Sequence, residues 1–295
     1  MFPNDLRIIF GRLKTLSPDN GFKLGDKPFM FQEVIDLGGE AVRRQEYITL
    51  GTVTEFTGSN QIGMIFRGID RDLSALQNWA SAETGFLPSK YSFVFVDNHD
   101  NQRGHGSGGS TILTHKDKNL YTKAVAFMLA HPQGGDHPRV MSSYAFSDAS
   151  QGPPMDEKEQ IITPTVDESG QCNNGWVCEH RWPVIASMIK FRSAVRGTNV
   201  RSFTNIGKNQ VSFCRGTKGF IAINNSDNNL KSTVPACLPN GVYCDVISGE
   251  LKNGICSGKT ITVQQGKASI EIPSNDANGI IAIHAGAKPS LCSCS

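Results

Sequence analysis

The sequence predicts an α/β fold followed by an all-β unit, and three observations carry that prediction. Up to about residue 200, short non-alternating apolar runs are interleaved with stretches of helical periodicity, which marks a parallel sheet covered by helices. About four strand–helix units are visible, against the eight of a closed barrel of typically about 250 residues. After about 200 the helical period vanishes, and short strand-like runs separated by turns predict a small antiparallel β-domain. The expected domains are therefore 1–200 and 201–295.

The elements follow in order. Leu6, Ile9, Phe10, Leu13 and Leu16 recur at helical spacing after Pro3-Asn4-Asp5, a helix-starting signal. Pro28–Phe31 reads as a short buried strand ending at Gln32-Glu33, and Thr52–Phe56 as a weaker one. Leu73, Leu76, Gln77 and Trp79 suit a short helix. Tyr91–Val96 is a clear strand that stops at Asp97-Asn98-His99-Asp100-Asn101. Leu120, Ala124, Phe127 and Met128 mark a helix, Arg139–Tyr144 another strand, and Trp182, Ile185, Met188, Ile189 and Arg192 a last amphipathic helix. Between these two, Phe146 to about Gly175 reads as a loop. The β-domain strands are expected at 210–215, 219–224, 243–247, 260–263, 268–272 and 280–284.

Composition excludes several function classes. The chain has 295 residues, 38% hydrophobic, and 29 Lys+Arg against 27 Asp+Glu give a net charge of +2. That supports a folded core and offers no basic field for a nucleic-acid backbone. No apolar run reaches the roughly 18 residues of a membrane span. The 8 cysteines lack zinc-site spacing, so disulfides in a secreted protein are the better reading. Asn224-Asn225-Ser226 is a glycosylation sequon that fits secretion. Met1–Asp5 does not read as a signal peptide, so the N-terminus of a secreted chain is expected to be missing.

Chemistry is expected at the C-terminal ends of the parallel strands. Glu33 closes one strand, where an acid is ordinarily only a cap. The segment Asp97–Arg103 places seven polar residues directly after an apolar strand, with no glycine until Gly104, and reads as an active-site rim. Two acids facing one cleft push their pKa values apart, so one donates a proton while the other stays charged, as in glycoside hydrolysis. Gly104–Gly109 then reads as a mobile, His105-tipped lid or a plain surface loop. It is not a phosphate loop, because no Lys-Ser/Thr follows.

Phe95–Gly106 closely resembles the fourth signature of animal-type α-amylases, and Phe29–Glu40 resembles the strand that carries their general acid. Phe127–Pro132, Arg139–Tyr144, Gly175–Trp182 and Tyr243–Gly249 extend the resemblance, in order, over nearly the whole chain. The resemblance, with some arthropod character, implies the second half of a (β/α)8 TIM barrel followed by a C-terminal Greek-key antiparallel β-sandwich. It implies endo-hydrolysis of α-1,4-glucosidic bonds in starch, glycogen and maltooligosaccharides, with retention of configuration. Glu33 matches the general acid/base and Asp100 a transition-state carboxylate. His99, Glu40 and His105 match substrate-binding residues. Asn98 and Arg139 match two ligands of a chloride that favours the protonated acid; Arg139, a donor with no proton to lose, suits an anion. Cys172–Cys178 and Cys244–Cys256 match family disulfides. Cys214 and Cys237, in neighbouring expected strands, suit a third. Cys292 and Cys294 have no assignable partner.

The resemblance also shows a departure. The family's nucleophile, in a Gly-Phe-Arg-x-Asp-Ala segment, has no counterpart here; Asp5 and Asp36 are nearest by position, and neither sits in such a motif. The third chloride ligand is missing too, and the calcium ligands are expected upstream of Met1, so this chain holds no metal ligands and only part of the chloride site. A retaining enzyme needs both carboxylates. The chain alone is therefore expected to be an inactive fragment of a secreted enzyme that holds calcium and chloride and is a monomer at full length. The competing readings are a non-catalytic carbohydrate-binding relative and an α-glucosidase-type member of the superfamily.

Overall fold

A computed structural model describes residues 1–290. Helix α1 (Pro3–Arg12) opens the chain with Pro3 at its first turn, and it buries none of its residues. Strands β1 (Phe31–Gln32), β2 (Thr52–Thr54) and β3 (Ser92–Phe93) form a parallel sheet in that order. Gln32 pairs with Val53, and Val53 with Ser92, which puts the residues after each strand along one edge. Helix α2 (Phe56–Arg67) follows β2, and helices α3 (Asn119–Ala130) and α4 (Pro183–Ala194) pack on each other. Gly63 lets α2 approach the 109–112 stretch, because a Cβ there would meet the Thr111 carbonyl oxygen at 2.1 Å.

The structure differs from expectation in the fourth unit. Arg139–Tyr144 forms no ladder with β3: its one backbone bond to that side is Arg139 N–H to the Val94 oxygen, at 2.8 Å. Its other backbone bonds go to the 175–180 stretch, including Val177 N–H to the Ser143 oxygen at 2.8 Å. With no neighbour to pair with, the buried run Val94–Val96 leaves the β3 ladder after Phe93. The first helix also stops at Arg12, short of Leu16.

From residue 200 the chain makes two antiparallel four-stranded sheets. One has the order β13 (Ile280–His284), β6 (Gly219–Asn224), β5 (Gln210–Arg215), β4 (Val200–Gly207). The other has the order β7 (Leu230–Pro235), β12 (Lys267–Ile272), β11 (Thr260–Gln264), β8 (Gly241–Cys244). A small hairpin, β9 (Leu251–Lys252) and β10 (Ile255–Cys256), sits apart. The inner faces meet in a core of Phe220, Leu230, Ile261, Ile270, Ile281 and Ile283. The first sheet is buried on its other face as well: Val211, Phe213, Ile221, Ile223 and Ile280 join α3 and α4 in the main core.

Three disulfides tie this framework. Cys172–Cys178 closes the segment before α4, Cys214–Cys237 joins β5 to the residue group after β7, and Cys244–Cys256 joins β8 to the hairpin. Cys292 and Cys294 lie outside the described residues. The sequon is not an open acceptor. Asn224 is buried, and its amide donates to the Asn228 and Ile272 oxygens at 3.0 and 2.9 Å.

Candidate active site

The polar segments after β1 and β3 meet at the C-terminal edge of the parallel sheet. Glu33 follows β1 directly, and its strand is held by register and by Thr54, whose Oγ1 accepts from Val34 N–H at 3.0 Å. The turn at Asn98 does the joining. Its Nδ2 donates to Glu33 Oε1 at 3.1 Å, and its Oδ1 accepts from Asp100 N–H at 3.1 Å and Asn101 N–H at 2.7 Å. One buried amide thus links the Glu33 carboxylate to the backbone of the Asp100 turn.

His99 Nε2 lies 3.5 Å from Asp100 Oδ2, and both side chains face solvent. His105 is tied back through its N–H to the Asp100 oxygen at 3.1 Å. His99, Asp100, His105, Arg139 and Tyr144 line one cleft of about 660 Å³. One wall is stiffened where the Arg103 guanidinium covers the Phe146 ring, 4.3 Å from its centre, and bonds the Ala149 and Gln151 oxygens. Glu33 lines a neighbouring cleft with Gln32, Val34 and Tyr47. Glu40 lines neither. Its carboxylate accepts from the N–H groups of Leu37, Gly38 and Gly39 and stabilises the loop after Glu33.

Buried ionisable groups support this rim from behind. Asp97 is fully enclosed; burial pushes its carboxyl well above the usual range, against the Tyr121 O–H that donates to its Oδ1 at 2.9 Å. Glu179 takes both the N–H (2.7 Å) and the Oγ–H of Ser143 and fixes the 141–144 stretch. Under β2, burial raises the Glu55 carboxyl despite its 2.5 Å pair with Arg44, whose other nitrogen bonds the Gly85 oxygen. Asp36 is spent on structure: it accepts from Gly38 N–H at 2.9 Å and Arg44 N–H at 3.1 Å. Among the described residues no three His, Cys, Asp or Glu side chains converge as a metal site.

Residues 201–286 match the family model for the α-amylase C-terminal all-β domain. Over 289 residues the chain is 48% identical to an α-amylase-related protein of Drosophila pseudoobscura pseudoobscura and 49% to that of Drosophila simulans. Each match takes in 98% of this chain and 57% of the relative, so the chain spans little more than half the length of these curated relatives. The structure matches wild-type α-amylase I of the earthworm Eisenia fetida with a TM-score of 0.84 and 39% identity, over 96% of this chain and 59% of that one. A Glu-to-Gln variant of the earthworm protein, solved with maltohexaose, matches equally well. A structure of an Anoxybacillus α-amylase, at 17% identity and a TM-score of 0.50, shares the fold alone. A parallel sheet edged by the Glu33 and Asp100 segments, a matching C-terminal sheet pair and relatives of one kind over 98% of the chain make it similar to the C-terminal part of animal-type α-amylases.

Proposed function

We propose that this chain supplies the general-acid side of a glycoside hydrolase site that cuts internal α-1,4-glucosidic bonds of starch, glycogen and maltooligosaccharides with retention. The observation that carries the reading is the Asn98 amide between Glu33 and the Asp100 turn. It sets an acid and a second carboxylate on one rim, beside a cleft that also exposes His99 and His105. The earthworm relative's complex with maltohexaose supports the substrate class.

In this mechanism Glu33 donates a proton to the leaving glycosidic oxygen and later takes one from water. Asp100 and His99 hold sugar hydroxyls as the ring flattens toward the oxocarbenium-like transition state. A retaining enzyme needs a nucleophilic carboxylate. Asp36 is committed to its loop and Asp5 lies on α1, so no described residue is assigned that role. The 295-residue chain by itself is therefore expected to show no turnover. Asn98 and Arg139 fit a halide. One amide hydrogen of Asn98 remains after the bond to Glu33, and the Arg139 guanidinium meets no side-chain acceptor among the described residues. A bound anion there would add negative charge that favours a protonated neighbouring acid. Calcium is given no role in this chain. The three disulfides fit a secreted location.

The test is hydrolysis of amylose by the protein expressed from its complete reading frame, beside its Glu33→Gln variant and the 295-residue chain. Mixed maltooligosaccharides released as α-anomers, with a loss of at least about a hundredfold on Glu33→Gln, is the expected result. Glucose as sole product points to the α-glucosidase reading. Starch binding without hydrolysis points to the carbohydrate-binding reading.

A further inference from the structure

We propose that Ser59, from helix α2, and Asn101 are positioning residues for Glu33: they hold the turn whose Asn98 amide settles which carboxyl oxygen carries the acid proton. The proposal rests on the reading of Glu33 as general acid. It starts from hydrogen bonds that tie the helix to the turn carrying Asn98, and Asn98 to that carboxyl. Ser59 Oγ donates to the Val96 oxygen at 2.6 Å. With its proton committed, the same oxygen can only accept, and it does so from Asn101 Nδ2 at 3.0 Å. Asn101 Oδ1 then accepts from Asn98 N–H at 2.7 Å. Asn98 Oδ1 accepts from two backbone N–H groups, so Nδ2 is the atom that must face Glu33.

Each link therefore has one polarity. An amide oxygen is the only part of an asparagine side chain that can accept, and both asparagine oxygens are already held by N–H donors. Neither amide can flip without facing an N–H group with another N–H group. Ser59 and Asn98 are 0% exposed and Asn101 is 2% exposed, so water cannot substitute for a lost link. The consequence falls on Glu33. Its Oε1 always meets a donor and stays the carbonyl-like acceptor. The proton of the acid form sits on Oε2, the oxygen turned away from Asn98. Loss of Ser59 or Asn101 loosens the buried turn that carries Asn98, so Nδ2 is held less firmly against Oε1 while the carboxyl itself remains.

The test separates proton delivery from binding and folding. The protein expressed from its complete reading frame is assayed on amylose and on α-maltosyl fluoride, whose fluoride departs without help from an acid. Ser59→Ala is expected to lower kcat on amylose about tenfold with KM unchanged, and to lower kcat on the fluoride less than about twofold. Asn101→Ser breaks the chain at a second point and should repeat the split, which covers the case in which Ser59→Ala fails to fold. Equal losses on the two substrates, or no loss on amylose, would overturn the positioning role and leave the α-amylase reading standing. A wild-type protein inert toward both substrates would overturn that reading, and the positioning role with it.

Discussion

His131 sits against Trp79 and Phe127, with ring centres 5.0 and 5.7 Å away, and its Nδ1 accepts from Gln133 N–H at 3.2 Å. Burial, with help from the nearby Arg215 and Arg192 charges, lowers its pKa from 6.5 to about 3. The unfolded chain takes up a proton near pH 6.5 that the folded chain refuses. Stability from this residue is thus fully present above about pH 6.5 and is lost as pH falls toward 3. Part of the ring reaches solvent, so roughly 1–2 kcal/mol at pH 5 is the expected loss relative to pH 7.5. Urea unfolding of wild type and His131→Gln at both pH values checks it; a wild-type curve no steeper in pH than the variant's would sink the assignment. The same scale shows what was legible at the site. The 97–103 rim is legible because a polar run directly after an apolar strand is anomalous, whereas Glu33 stands out only through the resemblance of its strand. Ser59, Thr54 and Glu179 could not be read, because a single buried hydroxyl or carboxylate acquires its meaning only from a partner dozens of residues away.

Helix α3 ends at Ala130 with its last carbonyls turned toward α4, and two arginines meet them. Arg192 donates from Nη1 to the Met128, Leu129 and His131 oxygens at 3.2, 3.1 and 2.6 Å, and from Nη2 to the Gln133 oxygen at 2.9 Å. Arg215, from β5, reaches the Ala130 oxygen. Positive charge at a helix C-terminus opposes the macrodipole, and a guanidinium can serve several carbonyls where an ammonium serves fewer. Arg192→Lys is therefore expected to cost about 2–3 kcal/mol even though the charge is kept. A urea midpoint for Arg192→Lys equal to wild type would show that the fork geometry contributes nothing. Element legibility followed burial. Strands β5, β6 and β13 were read to the residue, because each is a continuous apolar run between turns. Strands β4 and β7 carry no such run, since one has no fully buried residue and the other is half polar. Helix α2 was missed because Thr-Gly-Ser-Asn is a poor helical opening; tertiary packing of Ile62, Ile65 and Phe66 decides it.

At the scale of the molecule, the sequence marks a boundary near residue 200 that the packing does not respect. The sheet β13-β6-β5-β4 buries Val211, Phe213, Ile221, Ile223, Ile280 and Ala282 against α3 and α4, in the core that also holds Tyr121, Phe127 and Phe191. Leaving those six side chains in water costs roughly 10 kcal/mol at 1.5–3 kcal/mol for each large one, as much as a domain's whole stability. The β-unit is covalently stapled by Cys214–Cys237 and Cys244–Cys256, but those bonds close only its own loops and cannot cover the face that α3 and α4 protect. Residues 201–290 expressed alone are therefore expected to self-associate and bind a hydrophobic dye. Residues 56–290, which keep α2, α3, α4 and the other side chains of that core, are expected to bind far less dye and to unfold in one transition. At the other end of the chain, α1 buries nothing, and Phe2, Ile9, Leu24 and Phe29 stand exposed. Amide exchange in the 295-residue chain should accordingly be fast through residues 1–30 and slow, with matching opening free energies, in α3, α4, β5 and β6. A monomeric, fully ordered 201–290 fragment would refute the shared core as the unit of stability, and separate opening energies for the helices and the sheet would refute it independently.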